Sequence, residues 1–150
     1  MVGDLKYGRT VHSLAYALTH FKGINLYLVS PDSLKMPQYI IEGIKDKVKV
    51  FESQNLEKFL PELDVLYDTR IQKERFPDIL EYEKVKNAYI LGKEILQKSK
   101  KRMRIMHPLP RVNEIKTELD DTEHALYFQQ AANGIPVREA LIEILSKVRK

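Results

Sequence analysis

A chain of 150 residues, 43% hydrophobic and 31% charged, is long enough to bury one core and reads as a single globular domain. It has no cysteine, which excludes disulfides, iron–sulfur clusters and thiolate metal sites, and its formal charge of +4 is too mild to name a partner. With no apolar run of about 18 residues and no leader-like start, the expectation is a soluble, cytoplasmic protein without a membrane segment.

The chain opens on Met1-Val2, a short apolar start, then a turn holding Gly3 and Gly8, then Arg9-Thr10. Val11, Leu14, Ala15, Leu18 and Phe21 share one face at helical spacing, so this stretch reads strand, loop, helix. A helix start attracts anions through its unpartnered N–H groups and its macrodipole. The glycines permit close approach, and Arg9 adds a planar fork of donors. The pattern Gly3-x-x-x-x-Gly8-Arg9-Thr10 also stands one residue from the phosphate-binding loop of nucleotide hydrolases, with Arg9 in the place of Lys. A P-loop-like nucleotide-binding domain is therefore an alternative, with Asp68 closing an apolar strand as a magnesium-holding acid would. Arg9, however, suits a bidentate carboxylate better.

Residues 24–29 read as a buried strand closed by Ser30-Pro31-Asp32. Pro37 opens a short helix striped by Ile40, Ile41 and Ile44, and residues 47–51 alternate valine with lysine as a half-wet strand does. Asn55 is placed to cap a helix carrying Leu56, Phe59 and Leu60, and residues 64–67 form the next strand. Residues 69–77 are too polar for a core element and too long for a plain turn. Helical spacing returns at Ile79, Tyr82, Val85 and Tyr89, a short helix is expected over 94–98, and residues 104–106 are a last strand running into His107-Pro108-Leu109-Pro110. Residues 127–132 read as a helix broken at Asn133-Gly134, and Val137, Leu141, Ile144, Leu145 and Val148 give the final run one apolar face. That stripe reads as core, or as the face of a helix that belongs against a further part of a longer protein.

Strands alternating with helices predict an α/β fold, a three-layer, doubly wound, Rossmann-like parallel sheet of about five strands in the order 3-2-1-4-5. Ligands of such sheets bind beyond the carboxyl ends of the strands at the switch point, here between strands one and four. The loops around Arg9, Arg70 and His107 follow strands one, four and five and should meet there. The central strand has only Met1 and Val2 before its turn, against about five or six residues in an average strand, so a longer polypeptide is expected upstream.

Two guanidinium forks and an amide, Arg9, Arg70 and Gln72, describe a receptor for a small dicarboxylate, with Glu74 four residues past Arg70 to orient it. Taken alone, Arg70, Lys73, Glu74 and Arg75 read more readily as a solvated charged loop, and it is convergence at the switch point that favours the receptor. Each proline of the His107–Pro110 turn fixes its own φ and lacks an N–H. This leaves the Pro108 and Leu109 carbonyls free to accept from an amine or a carbamoyl group, unless the segment is simply a turn. His12, His107 and His124 read as packing or capping residues, and the four histidines lack metal-ligand spacing, so neither metal nor cofactor is expected. The basic run from Lys98 to Arg104 has no interleaved aromatics and reads as a solvated helix end, so no nucleic-acid partner is expected.

Four motifs occur in one order along the chain: residues 3–13, Thr69-Arg70-Ile71-Gln72-Lys73-Glu74-Arg75, Met106-His107-Pro108-Leu109-Pro110-Arg111-Val112, and residues 127–134. Together they resemble the aspartate-binding half of aspartate carbamoyltransferase catalytic chains, over essentially the whole sequence. The resemblance implies transfer of a carbamoyl group from carbamoyl phosphate to the α-amine of L-aspartate, giving N-carbamoyl-L-aspartate and phosphate in pyrimidine synthesis. It implies that Arg9 and Arg70 hold the aspartate carboxylates with help from Gln72, and that Glu74 positions Arg70. It further implies that Pro108, Leu109 and Pro110 face the carbamoyl phosphate, that the Leu109–Pro110 bond is cis, and that no residue of this domain acts as nucleophile or base. The family's carbamoyl phosphate domain has no counterpart in residues 1–150, so the chain alone is expected to be inactive, and the full-length chain to be a homotrimer, with or without regulatory chains. Two residues depart from the family pattern: Asp68, where an apolar residue is usual, is expected to compete for Arg70, and Asn113 replaces an aspartate and is expected to lose a charged contact to the loop after Gln72.

Overall fold

The computed structural model describes residues 1–148. Five parallel strands, β1 (Val2–Gly3), β2 (Asn25–Val29), β3 (Lys49–Ser53), β4 (Val65–Thr69) and β5 (Arg104–Met106), form one sheet in the order β3-β2-β1-β4-β5. This is the predicted doubly wound order. The two residues of β1 are gripped on both sides, Val2 opposite Val29 of β2 and opposite Asp68 of β4, with Gly3 opposite Thr69.

Side chains alternate across the strands and so feed two cores. Leu26 and Leu28 of β2 pack with Val11 and Ala15 of α1 (Arg9–Leu18) and with Ile40 and Ile44 of α2 (Gln38–Ile44). On the other face Val2, Val29, Leu66 and Ile105 pack with Leu60, Leu91, Met103, Leu119 and Tyr127. α3 (Ile79–Val85) buries only Val85, and Asp78 caps it by accepting the Leu80 N–H.

Several expectations are corrected. Leu56, Phe59 and Leu60 are buried, but residues 54–63 form turns rather than a helix, with the Phe59 N–H on the Leu56 carbonyl and the Glu62 N–H on the Phe59 carbonyl. Pro61 explains this, since it cannot donate into a helix and drives Leu60 away from helical geometry. Asn55 caps nothing; its own N–H donates to Ser53 Oγ. α1 ends at Leu18, which leaves Phe21 63% exposed, and α3 ends before Tyr89. The short helix expected over 94–98 is a 3₁₀ turn, Lys93–Gln97.

Asn133-Gly134 interrupts the last helix by a single residue, because Asn133 keeps right-handed helical angles between α4 (Tyr127–Ala132) and α5 (Gly134–Val148). Pro136 accounts for the interruption: it lacks the N–H that would reach Ala132. The stripe on α5 is not core. Val137, Leu141, Ile144, Leu145 and Val148 are 52% to 76% exposed, and no α5 residue is buried. Among the described residues no helix is long and apolar enough to cross a membrane.

Gly3 is the tightest point of the sheet. Its φ is +101°, and a Cβ there would lie 2.2 Å from the Thr69 carbonyl oxygen. Gly3→Ala is therefore expected to destabilise the fold by more than about 1 kcal/mol, checked by urea denaturation, because the side chain meets backbone that cannot yield.

Candidate functional site

The loops that leave β1, β4 and β5 at their carboxyl ends meet as the topology requires, and enclose a crevice of about 290 Å³. Its walls include Arg9 and Thr10 from the start of α1, Arg70, Gln72 and Arg75 after β4, and His107 to Pro110 after β5. Glu74 stands outside this crevice, on the far side of Arg70. Every residue expected at the site is thus in or directly behind one concavity.

The first loop is held from within. Asp4 is buried and accepts the Tyr7 N–H at 2.8 Å, and the Leu5 N–H goes to the Leu34 carbonyl at 3.2 Å. His12 Nε2 contacts the Leu5 carbonyl at 2.8 Å, so this histidine is a clamp on the loop, as expected. With those N–H groups committed, the loop has fewer donors for a phosphate than a nucleotide-binding loop needs. Burial raises the Asp4 carboxyl, while the Tyr7 N–H and then Arg75 pull it back. Arg9 is exposed at the head of α1 and has no ion-pair partner among the described residues.

The loop after β4 is tied to the loop after β1. Arg75 donates through Nη1 to the Tyr7 carbonyl at 2.8 Å and through Nε to Gln72 Oε1. Gln72 then has only its NH₂ left to offer, so the amide is oriented as a donor. Tyr7 and Phe76 rings meet edge to face at 6.1 Å, a second link between the loops. Arg70 Nη2 lies 3.2 Å from Glu74 Oε1, the orienting contact expected of Glu74.

The proline turn is the most constrained segment. Leu109–Pro110 is cis, and Leu109 has φ +50°, a left-handed conformation that costs about 1–2 kcal/mol for a residue with a side chain. His107 is buried and holds the turn from below: its Nδ1 accepts the Leu109 N–H at 2.9 Å, and its own N–H donates to Gln130 Oε1 at 3.0 Å. Glu114 accepts the Val112 and Asn113 N–H groups at 3.0 and 3.1 Å. Burial opposes its charge, but the His107 contact and those N–H groups hold its carboxyl below the usual range. No described hydrogen bond uses the Pro108 or Leu109 carbonyl.

Asp68 is placed differently from expectation: it does not take Arg70, it is fully buried, and neither carboxylate oxygen has a hydrogen-bond partner. Asn113 donates to Asn87 Oδ1 at 2.7 Å and lines a cavity with Lys73 and Glu74 of the loop after Gln72. Sequence reasoning also missed Asp4, Arg75, Gln130 and Glu114. Asp4, three residues ahead of Tyr7, carried a local Asx-turn signal; Arg75 and Gln130 act across the fold, and Glu114 folds back on Val112, Asn113 and His107, with no pattern that marked them.

With this geometry in hand, residues 1–145 match the sequence family described as "Aspartate/ornithine carbamoyltransferase, Asp/Orn binding domain". The chain belongs to the aspartate/ornithine carbamoyltransferase family. It is 55% identical over 143 residues to the aspartate carbamoyltransferase catalytic subunit of Thermococcus kodakarensis, covering 95% of this chain and 46% of that one. The catalytic subunit of Methanocaldococcus jannaschii aspartate transcarbamoylase superposes with a TM-score of 0.87 at 52% identity, over 96% of this chain and 48% of that one. Trypanosoma cruzi aspartate transcarbamoylase, solved in complex with carbamoyl phosphate and aspartate, gives 0.87 at 36% identity over 94% and 47%. The chain therefore spans about half the length of these carbamoyltransferase relatives.

One ion pair behind the proline turn makes the domain acid-sensitive. Arg111 grips Asp120 with both guanidinium nitrogens, Tyr127 donates to the same carboxylate at 2.5 Å, and Arg111 holds the Asp120 carboxyl below its ordinary value. A carboxyl depressed in the folded state contributes stability that is present above its unfolded pKa of about 4 and lost as the pH falls through the folded value. Thermal melts between neutral pH and about pH 2 are expected to show a shallower acid limb for Asp120→Asn than for the parent, with lower stability at neutral pH.

Proposed function

We propose that this chain is the aspartate-binding domain of an aspartate carbamoyltransferase, residues 1–150 forming that domain alone. L-aspartate binds in the crevice with its carboxylates on Arg9 and Arg70, and Gln72 donates to one of them. Glu74 fixes the Arg70 guanidinium, so that this fork is set before the substrate arrives. The observation that carries the reading is the meeting of Arg9, Arg70 and the unclaimed Pro108 and Leu109 carbonyls on one crevice. A dicarboxylate with an amine between its acids satisfies both guanidinium forks and presents N–H groups to the carbonyls. Membership of the family supports it, as do relatives named aspartate carbamoyltransferase.

In the reaction the aspartate amine attacks the carbamoyl carbon, a C–N bond forms, the C–O bond to phosphate breaks and the amine loses a proton. This domain's part is orientation. Carbonyls at Pro108 and Leu109 accept from the amine and the carbamoyl NH₂, aiming the lone pair, while Pro110 shapes the wall beside the carbamoyl group. Charge that develops on the carbamoyl oxygen and the leaving phosphate needs donors this crevice does not supply. We assign those to a carbamoyl phosphate domain in the other half of the protein, and assign the exposed stripe of α5 to the contact with it. The full-length chain is proposed to be a cytoplasmic homotrimer built through that half, with or without regulatory chains.

The 150-residue chain is expected to form no measurable carbamoyl aspartate, and the same chain joined to a relative's carbamoyl phosphate domain to form it; robust turnover by the chain alone would contradict the division of labour. In the joined enzyme Arg70→Lys exchanges a bidentate fork for a point charge. It is expected to lower kcat/KM for aspartate by about tenfold or more in steady-state assays. Sedimentation of the isolated chain is expected to give a mass other than that of a trimer.

A further inference from the structure

Among the described residues four buried side-chain polar atoms lack a hydrogen-bond partner: Oδ1 and Oδ2 of Asp68, Nε2 of His107 and Oε1 of Glu114. Because His107 Nδ1 accepts the Leu109 N–H, the ring proton sits on Nε2. Nε2 lies 2.9 Å from Glu114 Oε1, close but not aligned as a hydrogen bond. Glu114 Oε2 is taken by the Val112 and Asn113 N–H groups, so Glu114 connects His107 to both residues beyond the proline turn.

Asp68 and Glu114 line the same cavity, of about 180 Å³, behind Arg70. Two ionised carboxylates there need a counter-charge, and no cation of the lining is paired with either of them. Arg70 is on Glu74, and Lys86 is on Glu83 at 2.5 Å. Lys73 is exposed to solvent, and burial pushes the Tyr89 hydroxyl up to about 12. Burial also pushes the Met1 amine, behind β1, down to about 5, outweighing the opposite pull of Asp68.

We propose that Asp68 is a neutral carboxylic acid in the cavity it shares with the Glu114 carboxylate, and acts as a positioning residue for the turn bearing the Pro108 and Leu109 carbonyls. Its proton leaves the cavity a single buried carboxylate charge, on Glu114, in contact with His107. Burial first, and the Glu114 carboxylate second, push the Asp68 carboxyl well above the usual range, the direction this geometry requires. When hydroxide removes that proton as water, two like charges line one cavity. Glu114 is driven from His107 and from the Val112 and Asn113 N–H groups, and the turn loosens.

The test is a pH titration of the 150-residue chain with carboxyl-labelled aspartate, following the Asp68 Cγ resonance and the amides of Leu109, Val112 and Asn113. Asp68 Cγ is expected to keep its protonated position through neutral pH and to move at higher pH with the same midpoint as the three amides. Asp68→Asn, which is neutral at every pH, is expected to leave those amides in place and to abolish their common titration. Asp68 ionising in the ordinary carboxylate range with the amides unmoved would overturn the proposal, as would displacement of the amides by Asp68→Asn. No substrate is added, so this outcome is independent of the aspartate-binding reading. Only the consequence for binding rests on that reading: L-aspartate affinity should fall at the same midpoint, and an affinity flat across it would refute the positioning role.

Discussion

The close passage of Gly3 against Thr69 is the constraint on which the site depends. β1 contributes only Val2 and Gly3 to the sheet, yet it lies at the centre, and Thr69 Oγ1 donates to the Val2 carbonyl at 2.9 Å in the interior. Strands so tightly paired end together, and the two chains leave the sheet from adjacent points. One runs through Asp4 to Arg9 and the other directly into Arg70. The points at which the two loops leave the sheet are therefore governed by backbone pairing and by the absence of a Cβ at residue 3. A parallel sheet places the third loop, after β5, beside the second for the same reason.

Upon this frame, the charges are arranged by small local contacts. Arg75 is consumed in structure: it links the Tyr7 carbonyl to Gln72 and turns that amide so that it donates. Arg70 is steadied by an exposed glutamate, a pair of little worth to stability but sufficient to set a rotamer. Arg9 is left unpaired among the described residues, at a helix start that already favours anions. The proline turn is organised in the opposite way, from below, by buried polar groups: His107 and Gln130 hold its first residue and its left-handed Leu109, and Glu114 gathers the N–H groups that follow. A rigid turn with two unclaimed carbonyls opposite two guanidiniums is complementary to an amino dicarboxylate before any ligand is present.

Much of this was legible in the sequence, for identifiable reasons. Alternation and apolar runs reported the strands because each is buried on a fixed face, and their number and spacing gave the order of the sheet. The loops of the site could be named because the topology brings strand ends together, whatever the loops contain. Where reading failed, a non-local effect prevailed. Pro61 overrode the spacing of Leu56, Phe59 and Leu60, whose burial was right although their helix was not. The stripe of α5 reads as core by periodicity and is exposed, since periodicity reports that a face is to be covered but not what covers it. Asp68 looked like a rival for Arg70 because the two are near neighbours in the chain, but strand geometry turns it inward, into the cavity it shares with Glu114. Charge pattern alone could not find the support beneath the proline turn, because His107, Glu114 and Gln130 come from separate segments.

The central claim is that residues 1–148 hold a carboxylate receptor already assembled at the switch point of the sheet. Amide shifts of the isotopically labelled chain during titration with millimolar L-aspartate test it most directly. Saturable shifts are expected at Arg9, Arg70 and Leu109, and they should vanish in Arg70→Ala. An unresponsive spectrum, or saturable shifts confined to residues 3–10 on addition of Mg-ATP, would contradict it.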